Sequence, residues 1–95
     1  MKVVKLDLTD CRSADEFHER IRVAFDFPEW YGKNWSAFWD MMTSECTADK
    51  VEIYGEGAID DQFSHYLEKL HEILERTIAF DQEYGYPPFS YEVIS

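Results

Sequence analysis

VEIYGEGAIDDQFSHYLEKLHEILERTIAFDQEYGYPPFSYEV, residues 51 to 93, reads as strand, helix, strand, and that order decides the fold. Val51, Ile53 and the β-prone Tyr54 make a short strand that Gly55 and Gly57 close. From about Asp61, the residues Phe63, Leu67, Leu70, Leu74 and Ile78 recur at steps of four, three, four and four, the spacing of one helix face. Gly85 is placed as the residue just past the helix end, and Pro87 and Pro88 forbid continuation. Phe89, Tyr91 and Val93 then alternate with Ser90 and Glu92 as a last strand. Two strands joined by a helix, rather than by a tight turn, pair in parallel.

Toward the N-terminus the same alternation continues. Val4, Leu6 and Leu8 alternate with Lys5 and Asp7, predicting a first strand with one buried face. Ser13 with Glu16 forms a capping box ahead of Phe17, Ile21, Ala24 and Phe25, which share a helix face, and Glu16 and Arg20 add an i,i+4 pair. Pro28 and Gly32 break the chain, and Asn34 is placed to cap a short second helix reaching about Met42. The order is β-α-α-β-α-β with no hairpin signal, no internal repeat and no linker. We therefore expect one domain over residues 1–95, of the α/β class, with a three-stranded parallel sheet covered by helices.

The 95 residues are 45% hydrophobic and 17% aromatic, enough for a real core. Twenty acids against nine bases leave a formal charge of -11, which disfavours nucleic acid and anionic membrane as partners. The charge is lopsided: residues 1–39 hold seven acids and six bases, residues 40–95 thirteen acids and three bases. A cationic partner fits that field, although charge alone also serves solubility. Two cysteines, Cys11 and Cys46, match no metal or redox spacing and are expected as thiols. The opening MKVVKLDLTD alternates apolar and charged residues instead of running apolar, so a cytoplasmic location is expected.

The most unusual stretch is PEWYGKNWSAFWDMM, residues 28 to 42, where three tryptophans and a tyrosine fall within ten positions. If Phe38, Met41 and Met42 face the sheet, the helical period turns Trp35 and Trp39 to the flanks or to solvent. Taken singly, Trp30, Tyr31 or Trp39 reads equally well as a core residue; all three buried together is the weaker reading. This segment resembles the barstar family of ribonuclease inhibitors, through Pro28, Glu29, Trp30, Tyr31, Gly32, Asn34, Ala37, Trp39 and Asp40. The element order, Arg12 and Ser13 before the first helix, and the ending in Ile94 and Ser95 fit that family too.

The resemblance implies a one-to-one inhibitor, an immunity protein, that covers a nuclease active site with this loop and helix. It further implies that Asp40 takes the place of the substrate phosphate, where a rigid carboxylate accepts charge-assisted hydrogen bonds from Arg, Lys and His. On this reading Trp30 and Trp39 flank the charge, Tyr31 joins the surface, Gly32 permits close approach, and Asn34 caps the helix. Ser36 stands where the family has a second acid one turn earlier, and Trp30 replaces a tyrosine, so target preference departs from the family pattern at those positions. Asp81, ahead of Glu83, is the candidate contact from the last helix; both also read as ordinary solvated charges.

Other chemistry finds little footing. Glu72 and Glu75 share a helix face but have no nucleophile or oxyanion donor nearby, so no enzyme is expected. His18, His65 and His71 lack metal-ligand spacing, and Gly55 and Gly57 lack the third glycine of a phosphate-binding loop, so neither metal nor cofactor is expected. The competing functional class is an acidic adaptor or nucleic-acid mimic that binds a basic surface without blocking an active site. That reading spreads binding over many acids, whereas the inhibitor concentrates it at Asp40.

Overall fold

A computed structural model describes residues 2–44 and 46–94, so Ser95 lies outside the described residues. The elements follow the expected order: β1 (Val3–Asp7), α1 (Ala14–Phe25), α2 (Trp35–Ser44), β2 (Lys50–Tyr54), α3 (Ser64–Tyr84) and β3 (Ser90–Val93). The strands form one sheet in the order β1-β2-β3, all parallel. Val4 pairs with Val51 and Val51 with Tyr91; one step along, Leu6 pairs with Ile53 and Ile53 with Val93.

Period-two alternation sorts the strand residues. Val4, Leu6, Val51 and Ile53 are buried with Phe17, Ile21, Phe38, Leu70 and Leu74, whereas Val3, Lys5 and Asp7 are exposed. The helices therefore cover one face only. The other face is polar, with Lys50 Nζ 2.8 Å from Glu92 and the Tyr54 hydroxyl donating to Glu52. β3 is an edge strand, and Val93 near its end is 42% exposed although its strand neighbour Ile53 is buried.

Local signals behave as physical chemistry requires. Ser13 Oγ accepts from the Glu16 N–H at 3.1 Å, and Arg20 lies 3.5 Å from Glu16. The last helix starts later than its apolar spacing indicates. Residues Asp61–Phe63 form a 3-10 turn capped by Asp60, and α3 runs from Ser64 to its left-handed cap at Gly85. Gly55, at φ 85°, ends β2, and a Cβ there would sit 2.5 Å from the Thr9 backbone nitrogen. Gly55→Ala is expected to cost about 1–3 kcal/mol from the strained backbone alone, read as a lowered urea midpoint. An unchanged midpoint would show that the β1 end yields freely.

Candidate functional surface

α2 carries the candidate residues, and its sequence explains how it sits. Phe38, Met41 and Met42 recur at three and four residues and are all buried, which fixes the helix against the core and turns Ser36 and Asp40 outward. Asn34 Oδ1 accepts from the Ala37 N–H at 2.8 Å, and Asn34 Nδ2 donates to the Gly32 carbonyl at 3.2 Å. Asn34 is thus the expected N-cap and stiffens the loop that enters the helix. A Cβ on Gly32 would lie 3.2 Å from the Ala37 Cβ, so the glycine has an internal reason: the loop folds tightly onto the first turn of α2. Lys33 adopts φ 51°, and its ammonium lies 3.6 Å from Asp15 and 3.8 Å from Glu19, tying the loop to α1.

The aromatic residues divide. Trp30, on the loop, is 73% exposed, the highest value among the large hydrophobic side chains of the described residues. Trp39 is half-buried, edge-on to Phe80 at 5.8 Å, with the Arg76 guanidinium 4.4 Å above its ring. Trp35 is half-buried too, and packs on His18 at 4.6 Å and Phe17 at 5.9 Å. Tyr31 lies in the core, only 4% exposed, so it does not join the outward surface with Trp30 and Asp40. Its hydroxyl and His18 Nδ1 are 2.9 Å apart, and burial pushes its pKa up. A loop aromatic has no periodicity to say which way it points, and its polar partner lies 13 residues away on α1.

Asp40 is exposed, and its carboxylate makes neither hydrogen bond nor ion pair among the described residues. Its backbone carbonyl accepts from the Ser44 hydroxyl, which supports the last turn of α2. Ser36, Trp39 and Asp40 line a groove against α3, together with Lys69, Glu72, Ile73 and Arg76. Asp81 does not line that groove. It is half-buried in a separate cleft with Met42, Cys46, Tyr86 and Phe89, where desolvation raises its pKa.

His18 escaped the sequence reading because a histidine beside Phe17 gives no sign of burial. Burial lowers its pKa, so the fold favours its neutral form. An unfolded histidine binds a proton below about pH 6.5. In the window below that value the unfolded chain binds more protons at this site than the folded chain, and stability falls as pH falls. His18→Gln, which keeps a polar partner for Tyr31, is expected to flatten that dependence between pH 7.5 and 5.5 in urea titrations. An equal slope in both proteins would assign the pH dependence elsewhere.

Cys11 and Cys46 are free thiols. Among the described residues no group of three or more His, Cys, Asp or Glu side chains is placed to hold a metal ion. No described helix is long and apolar enough to cross a membrane. A family model described as Barstar (barnase inhibitor) matches residues 1–90. No curated protein matches the chain.

Proposed function

The chain belongs to the barstar family, and on that premise we propose that it inhibits a basic ribonuclease or related nuclease toxin one to one. In this reading the loop and helix over residues 28–42 cover the active site. The observation that carries it is the outward carboxylate of Asp40, unpaired among the described residues, on a helix whose opposite side is anchored by Phe38, Met41 and Met42. A carboxylate held this way has little freedom to lose on binding, and it can accept hydrogen bonds from groups built to hold a phosphate. Trp30 supplies exposed aromatic area on the loop that leads into α2, and Ser36 and Trp39 line the α2–α3 groove with Asp40. Gly32 and Asn34 shape the surface rather than touch the target, and Tyr31 supports it from beneath through His18. Asp81, in its separate cleft, is the weakest contact candidate.

The acidic later half serves a different role. Its ten excess negative charges steer a cationic enzyme toward the chain, raising the association rate by about 10- to 1,000-fold at low salt. Rate is set diffusely, grip by Asp40 and its neighbours. Acting inside its producer, such a protein would protect it from its own toxin.

The test is titration of barnase with the chain while RNA hydrolysis is followed. Activity reaching zero at one equivalent supports the proposal. Binding that saturates with hydrolysis intact would instead favour the acidic adaptor.

A further inference from the structure

Residues 40–95 hold three cations, Lys50, Lys69 and Arg76. Lys50 is on the open sheet face with Glu92, whereas the other two line the groove beside Asp40. The acidic half thus places two of its three positive charges against the surface that would meet a basic enzyme.

Arg76 is set up in an unusual way. Glu72 precedes it by one turn, in the orientation that favours an i,i+4 ion pair. Glu72 nonetheless pairs with Lys69 at 3.2 Å, and the Arg76 guanidinium lies over the Trp39 ring at 4.4 Å. Among the described residues no carboxylate ion-pairs with Arg76 and no acceptor takes its N–H groups. In a chain of twenty acids, an exposed arginine left without a carboxylate has its planar fork aimed by the indole beneath it. Stacking leaves the donor edge of a guanidinium available for a bidentate acceptor.

We propose that Arg76 is a specificity-determining contact of the inhibitory surface, receiving a carboxylate that the target nuclease carries beside its phosphate-binding cations. This rests on the reading of α2 as the inhibitory face and deepens it by naming what the target must present. Asp40 and Arg76 place a negative and a positive charge on the same groove. An enzyme with alternating charge at the rim of its site gains two pairs there, one for each sign. An enzyme that is cationic throughout gains the first and is repelled by the second, which separates cognate from non-cognate nucleases. Lys69 adds to the same positive end while held by Glu72.

Barnase serves as the probe, in its natural form and as variants that each replace one Arg or Lys at the rim of its active site by Glu. Dissociation constants are measured against the unaltered chain and against Arg76→Gln, with urea unfolding as a check that this exposed substitution leaves the fold intact. At least one Glu variant is expected to gain about tenfold or more in affinity for the unaltered chain, with the gain lost in Arg76→Gln, a coupling a double-mutant cycle isolates. Arg76→Lys keeps the charge without the fork and is expected to retain only part of the gain. Coupling below about threefold at every rim position would overturn the proposal. A separate outcome tests its premise: if the unaltered chain does not bind natural barnase, or Asp40→Ala binds it equally well, the inhibitory reading itself falls.

Discussion

Asp40→Ala is expected to weaken binding to barnase by about thirtyfold to a few thousandfold, the equivalent of roughly 2–5 kcal/mol, with little change in folding stability. Asp40 is exposed and its carboxylate has no partner among the described residues, so the free protein loses almost nothing when it is removed. The loss arises in the complex. Cations assembled to hold a phosphate would be desolvated against an alanine with no acceptor, and such groups are costly to bury unpaired. Asp40→Asn separates charge from shape: it keeps the size and one oxygen acceptor, and is expected to lose most of the same affinity. The measurement is the dissociation constant at fixed salt beside a urea midpoint. A fall below about tenfold in affinity, matched by removing several distant acids, would move the binding energy to the diffuse field.

Phe38→Ala is expected to reduce folding stability by about 3–5 kcal/mol, a large share of the 5–15 typical of a domain. Phe38 is fully buried, and its ring meets Phe25 at 5.9 Å and Trp35 at 6.1 Å, so truncation leaves a void that rigid neighbours fill poorly. It also loosens the side of α2 that keeps Asp40 outward. The two substitutions should therefore dissociate: Asp40→Ala loses affinity and keeps stability, whereas Phe38→Ala loses both. Urea unfolding followed by tryptophan fluorescence reads the stability, and a drop under about 1 kcal/mol would show that α2 is not anchored through Phe38.

The elements that alternate or repeat were readable in advance. Phe38, Met41 and Met42 announce their facing by spacing, Asn34 its cap by type and place, and Gly85 with Pro87 and Pro88 the end of α3. Alternation says which face a strand residue takes but not how far the helices extend, so Val93 came out exposed at the sheet edge. Tyr31 and His18 meet across the fold, and no local pattern pairs a loop tyrosine with a helix histidine. The same holds for Arg76 over Trp39, where two helices distant in sequence set the contact. Within the candidate surface, residue chemistry left Trp30 and Tyr31 alike open between core and surface, and burial separates them, with Trp30 exposed and Tyr31 in the core.

If the Asp40 carboxylate takes the place of a substrate phosphate, as proposed, the chain and a small anionic ligand compete for one set of cations. The most direct measurement is displacement of a mononucleotide from the active site of barnase by the chain, followed by equilibrium binding. Mutually exclusive binding, with Asp40→Ala displacing far less at equal concentration, is the expected result. A ternary complex that holds chain and mononucleotide together, with nucleotide affinity unchanged, would contradict it.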